Sequence, residues 1–178
     1  MYLCRPQIYT NQMKTVGILS DTHGFIHSSV LDFLSGVDEI WHAGDMGNIG
    51  IARQLRELKP FRGVYGNIDG QDVRIEYPEV QQFMIEEVKV LMTHIGGYPG
   101  RYDPRARDLI LQERPALFVC GHSHILKVMY DKKHSLLHIN PGAAGKHGIH
   151  KSITAIRVVI DGKNMRDLEL IDIPRKQS

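Results

Sequence analysis

The sequence predicts an α/β protein of two packed sheets with helices outside. Three observations lead there. Short apolar runs end repeatedly in polar residues, often beside glycine, at Asp21, Asp45, Asn67, His94 and His122. The first half alternates strand-like and helix-like periods, which implies a parallel sheet. The second half turns to hairpins.

Val16 to Leu19 reads as a buried strand ending at Ser20-Asp21. Ser28 caps a helix through Val30, Leu31, Phe33 and Leu34. Glu39 to Ala43 is a second strand, running out at Gly44-Asp45. Ile49 to Leu58 has helical spacing at Ile49, Ala52, Leu55 and Leu58, and Pro60 stops it. Phe61 to Tyr65 is a third strand, ending at Gly66-Asn67. This order predicts parallel strands joined by right-handed crossovers. Val80 to Ile85 and Val88 to Thr93 form a hairpin around Glu86-Glu87. Asp103 and Pro104 open a helix that reaches Glu113. Ala116 to Cys120 is a strand ending at Gly121-His122. Two more hairpins follow, Ile125 to Tyr130 with Ser135 to Ile139, and Ser152 to Ile160 with Met165 to Ile171.

A chain of 178 residues fits one domain with a sizeable core. We assign 13–178 to that domain and read Met1 to Gln12 as an N-terminal extension, with Met13-Lys14 as an alternative start. The net charge of +2 offers no basic stripe for nucleic acid, so nucleic acid is an unlikely partner. The apolar runs are too short to span a membrane. Cys4 and Cys120 make no disulfide framework, and a cytoplasmic setting is expected.

Asp21-x-His23, Gly44-Asp45, Gly66-Asn67-x-Asp69, Thr93-His94 and Gly121-His122-x-His124 carry the chemistry. Each alone is ordinary turn or core chemistry. Together, at successive strand ends, they place oxygen and imidazole donors where ligands gather in α/β sheets. Two side chains spaced as Asp21-x-His23 converge on one ion if the backbone stays near-extended. His122-x-His124 can serve two adjacent ions. Glycines 24, 44, 66 and 121 allow sharp turns beside them. Mixed carboxylate and imidazole suits manganese, iron or zinc, and the lack of cysteine ligands argues against structural zinc. Two metals ~4 Å apart activate water and clamp a phosphate, which points to phosphate-ester hydrolysis.

These motifs, with Asn140-Pro141-Gly142, resemble the calcineurin-like metallophosphoesterases, in particular their small bacterial and archaeal phosphodiesterase branch. The resemblance implies a four-layer α/β/β/α sandwich of two mixed sheets with a dimetal site at its rim. It implies that Asp21, His23 and His124 hold one metal, that Asn67, His94 and His122 hold the other, and that Asp45 bridges them. The cofactors so implied are two divalent ions, manganese first, with iron, zinc or nickel as alternatives. The implied reaction is hydrolysis of a small phosphodiester by hydroxide held between the metals, with Asp45 and Asn67 as catalytic residues.

Two departures bear on substrate. Many family phosphatases carry histidine after the asparagine; here Ile68 stands there and cannot protonate a leaving group. The branch commonly reads T-H-G-H; here it is Thr93-His94-Ile95-Gly96, with the later histidine, expected near substrate, absent. Asn67 and Arg101 are candidate substrate contacts, while Arg105 and Arg107 read as a solvated helix face. His42 reads as a core or ligand-supporting histidine, and Asp69 as a support for the Asn67 turn. The alternatives are a phosphomonoesterase, which Ile68 disfavours, and a protein-interaction scaffold. The scaffold reading follows from a retromer subunit of the same fold, which has asparagine where this chain has His23. A homo-oligomer formed through an apolar edge strand also fits.

Overall fold

The computed structural model describes residues 13–175. The N-terminal extension and its alternative start lie outside them. The first sheet runs β12-β11-β1-β2-β3, from β1 (Lys14–Leu19), β2 (Glu39–His42), β3 (Phe61–Gly63), β11 (Ser152–Asp161) and β12 (Asn164–Pro174). The second runs β4-β5-β8-β10-β9, from β4 (Val80–Ile85), β5 (Val88–Thr93), β8 (Leu117–Val119), β9 (Leu126–Asp131) and β10 (Leu136–Pro141). β1, β2 and β3 are parallel, as are β5, β8 and β10, and antiparallel partners flank each trio. Both sheets are therefore mixed.

Alternation along β1 turns Val16 and Ile18 towards the second sheet, where they meet Val90, Met92, Val119 and Ile139. Trp41 of β2 packs edge-on against Phe83 of β4 at 5.0 Å between ring centres. The outer face of the first sheet buries Leu19 and Ile40 under α1 (Ser28–Ser35) and α2 (Ile49–Leu58). The outer face of the second buries Leu91 and Phe118 under α4 (Pro104–Glu113). The layers are helix, sheet, sheet, helix, as expected.

Local signals account for most boundaries. Asp103 caps α4 by accepting from the amides of Arg105 and Ala106, with Pro104 in the first turn. Asn48 caps α2 through Gly50 N–H. At α1 the cap is His27, whose Nδ1 accepts from Ser29 N–H, and the expected cap Ser28 is the first helical residue. A ring nitrogen one residue earlier satisfies the same orphan amide. Three elements go beyond the sequence expectation: α3 (Gln71–Glu76) and the two-residue strands β6 (Gly97–Tyr98) and β7 (Arg101–Tyr102). Among the described residues no helix is long and apolar enough to cross a membrane.

His138, on β10, is fully buried beside Tyr102 and Phe118, and neither ring nitrogen has a partner. Burial, chiefly, and then Lys127 push it down to about 4, against the opposing pull of Asp131. In the unfolded chain it takes up its proton near 6.5, so folding excludes that proton between pH 6.5 and 4. Stability contributed by the neutral ring is complete above 6.5 and falls by about 3 kcal/mol as pH drops to 4. His138→Leu is expected to flatten the acid limb of a pH-dependent melting series by about that amount. An unchanged slope would show that this ring does not set it.

Candidate metal centre

The carboxyl ends of the parallel strands in both sheets meet at one rim. Asp21 follows β1, Asp45 follows β2, Asn67 follows β3, His94 follows β5, and His122 with His124 follow β8. Backbone bonds hold these loops side by side. Asp21 N–H donates to Gly44 O at 3.0 Å, His23 N–H to Asp45 O at 3.1 Å, and Gly121 N–H to His94 O at 2.9 Å.

Two clusters of donors result. Asp21, His23 and His124 form one, and Asp45, His94 and His122 the other, with one ligand atom from each residue lying within 4.8 Å of the rest of its cluster. Asp45 Oδ2 lies 3.3 Å from His94 Nε2 and 3.9 Å from His23 Nε2, so one carboxylate faces both clusters. Asn67 Oδ1 stands 3.1 Å from His94 Nε2, on the second cluster. Asp21, Asp45 and His94 are buried, whereas Asn67 and His122 are exposed at the mouth.

The donors fit divalent cations. Asp21 Oδ1 is buried without a hydrogen-bond partner, although His124 Nε2 is only 3.2 Å away. A buried carboxylate oxygen left this way is costly unless a cation joins it. His94 donates Nδ1–H to Ala43 O at 2.8 Å, because a carbonyl can only accept. Its Nε2 lone pair then faces Asn67 Oδ1 and Asp45 Oδ2, three acceptors converging on one point. His124 is set similarly. His150 Nε2 donates to Gly145 O at 3.0 Å, so its Nδ1 accepts from His124 Nδ1–H at 3.2 Å, leaving His124 Nε2 for the first cluster. Such outer hydrogen bonds fix tautomer and aim. The resulting donors are oxygen and imidazole nitrogen, with no thiolate.

Charge follows from the same contacts. Burial would lower His94, but Asp45 and Asp21 beside it outweigh that and raise it, so the site favours positive charge at Nε2, whether a proton or a cation. Burial would raise Asp45; His94, Ile68 N–H and His23 hold it low instead. Burial lowers His23 against the pull of both aspartates. His42, fully buried, is pushed down to about 4 by burial and stays neutral. Its Nδ1 accepts from Gly44 N–H at 3.2 Å and its Nε2 pairs with Thr22 Oγ1 at 3.0 Å, so it braces the Gly44-Asp45 turn.

Three sequence expectations are corrected. Asp21 and His23 do not converge by near-extended backbone: both are left-handed, with φ of 54° and 47°. Asp45, His122 and His124 are left-handed too, at 57°, 69° and 56°. Gly66 and Gly121 do not have the positive φ of Gly24 and Gly44. Their need for glycine is close approach, since a methyl at 66 would strike Asp45 and one at 121 would strike Ser20 and Asp21. Gly96 does not open onto a substrate space; a Cβ there would come 2.6 Å from Cys120 Cβ and 2.9 Å from Phe118 Cζ. In this chain no side chain fits at that position.

Arg101 sits exposed on β7 against Tyr98. The arginines that line the cavity beside Asn67 and His94 are Arg74 and Arg105. Arg74, unmarked by any motif, donates to the carbonyls of Asp69, Gly66 and Asn67 and stacks over Tyr65. Asp69 accepts from Gly47 and Gly66 N–H at 2.7 and 2.8 Å, tying the Asp45 and Asn67 loops together. Asn140 Nδ2 donates to Gly121 O at 2.8 Å and to Ser123 Oγ at 3.1 Å, steadying the loop of His122 and His124. Lys146 lies over Phe25, and His147 stands edge-on to His23 at 6.3 Å between ring centres.

The chain is thus an α/β/β/α sandwich with mixed carboxylate and imidazole donors gathered at its rim. The model of the calcineurin-like phosphoesterase superfamily domain matches residues 13–163, and the chain belongs to that family, whose members bind divalent metals. A probable metallophosphoesterase of Methanothermobacter thermautotrophicus is 30% identical over 162 residues, covering 88% of this chain and 91% of the relative. Among solved structures, a predicted phosphoesterase from Streptococcus pneumoniae aligns with a TM-score of 0.63 at 24% identity, over 84% of each chain. Vacuolar protein sorting 29 from Cryptosporidium parvum shares the fold with a TM-score of 0.72 at 16% identity, over 92% of this chain and 99% of its own.

Proposed function

We propose that the protein is a metal-dependent phosphodiesterase acting on a small phosphodiester. The observation that carries this reading is Asp45, whose Oδ2 faces His23 on one side and His94 on the other. Asp21, His23 and His124 would hold one divalent ion, and Asn67, His94 and His122 the other, with Asp45 shared between them. A pair of divalent ions polarises phosphoryl oxygens and lowers the pKa of water. Manganese suits the donor set best, with iron, zinc and nickel as alternatives. Asn67, exposed beside His94, also orients the phosphoryl group.

What the mouth lacks sets a leaving-group preference. Ile68 is 47% exposed beside Asn67 and has no proton to give. Losing a general acid typically costs ~10²–10⁴-fold for poor leaving groups. Esters whose leaving group departs as an anion, such as aryl diesters, are therefore the better substrates. The full donor set favours an enzyme over a pure scaffold. Exposed Val128, Met129 and Tyr130 on edge strand β9 fit self-association, and the buried thiol of Cys120 fits a cytoplasmic setting.

The test is hydrolysis of bis-p-nitrophenyl phosphate against p-nitrophenyl phosphate after chelation and again with manganese restored. Manganese-dependent cleavage with the diester at least tenfold faster is expected. Faster monoester cleavage would favour the phosphomonoesterase, and no cleavage of either would favour the scaffold.

A further inference from the structure

We infer that the cavity beside Asn67 and His94 is a specificity pocket for the organic group that stays on phosphorus, and that it takes an uncharged flat ring such as an aryl group or the base of a nucleoside. This deepens the phosphodiesterase reading and rests on it. The cavity encloses about 290 Å³ and shares Asn67 and His94 with the second cluster. Asp21, His23 and His124 do not line it. It therefore opens to the side of the two clusters, beyond the second. In-line displacement sends the leaving oxygen away from the clusters, so a pocket to the side lodges the retained group.

Its walls set the chemistry. Tyr65, Val80, Ile95, Ala106 and Leu109 give it an apolar lining. Ile95, 42% exposed, adds apolar surface right beside His94. The four charged residues of the lining are engaged already. Arg105 pairs with Glu79 at 3.0 Å. Arg74 is spent on three backbone carbonyls and the Tyr65 ring. Asp103 accepts from two amides at the start of α4. The two arginines and two carboxylates balance, so the lining carries no net charge to match a second phosphate or an ionised tail. Thr93 and Tyr65 contribute hydroxyls that can orient a ring edge. The volume lies at the low end for ligand sites, enough for one ring-bearing group and too little for an oligonucleotide.

The experiment compares phenyl p-nitrophenyl phosphate with methyl p-nitrophenyl phosphate, which share a leaving group and differ in the retained one. Leu109 is half-buried in the lining and touches no proposed ligand, so Leu109→Trp fills the pocket and leaves the metal centre alone. The ratio of kcat/KM for the phenyl over the methyl ester is read in both proteins, which cancels intrinsic reactivity. Leu109→Trp is expected to lower that ratio by about 10-fold or more, mostly through KM, with the methyl ester within twofold of wild type. An unchanged ratio overturns the pocket while leaving the phosphodiesterase intact. A melting curve matching wild type shows that Leu109→Trp folds, and Leu111→Trp, exposed on the same helix and outside the lining, is expected to keep the phenyl preference. If wild type cleaves neither ester, the phosphodiesterase reading fails, and the pocket is judged by binding of phenylphosphonate in chelator by calorimetry. Binding that Leu109→Trp abolishes supports the pocket; no binding to wild type overturns it.

Discussion

Asp45→Ala is expected to reduce manganese-dependent diester hydrolysis by ~10³-fold or more while leaving the fold in place. The side chain faces both clusters, so its loss would remove a donor from each and the anion that two cations would share. The fold has other supports there. His23 N–H still binds the backbone carbonyl of residue 45, and Asp69 still ties Gly47 to Gly66. Structural cost is confined mainly to Ile68 N–H, which donates to Asp45 Oδ1 at 3.1 Å. Steady-state kinetics with metal content measured on the same samples checks this. Retention of activity within tenfold, with both metals bound, would show that the carboxylate does not bridge.

The second large effect is expected from Gly66→Ala. A methyl there would press on the carboxylate, the carbon behind it and the amide of Asp45. The neighbour cannot swing away cheaply, because Asp45 is buried and its amide belongs to a turn braced by His42. Overpacking of this kind costs about 1–3 kcal/mol. Misplacing a reacting group by ~1 Å costs about 10²-fold in rate. Melting curves and the diester assay should both fall, whereas Ile68→Ala, two residues on and exposed, should leave the melting temperature near wild type. An undisturbed Gly66→Ala enzyme would mean that the loop yields where its packing says it does not.

The elements legible in the sequence are those that bury a regular stripe. Ile49 to Leu58 is readable end to end because Ile49, Ala52, Leu55 and Leu58 recur at helical spacing, and Ala52 and Leu55, with Ile51, form its buried face. Gln71–Glu76 was not, because its six residues bury only Val73 and leave no period to detect. The β6–β7 pair is two residues deep and lies in a loop without turn chemistry distinctive enough to read. At the site, the donor residues stood out because each sits beside glycine or at the end of an apolar run. Their grouping into two clusters came from the family resemblance and depends on contacts between distant segments, such as Gly121 with His94. Arg74 was invisible because it acts on carbonyls, which leave no mark on side-chain pattern. Nearness in sequence to the Gly96 loop, which singles out Arg101, says nothing of which arginines line the cavity beside Asn67.

The left-handed backbone at Asp21, His23, Asp45, His122 and His124 has an evolutionary corollary. Glycine is the residue such a φ favours; aspartate and histidine are tolerated there better than most, and a non-glycine residue held there still costs on the order of 1–3 kcal/mol. The chain thus keeps chemically needed side chains against the preference of its own main chain. Selection for robustness alone would replace them one at a time, each replacement easing the chain and removing a ligand. The scaffold would outlast the chemistry it carries, so a sturdy but inert descendant lies only a few favourable substitutions away.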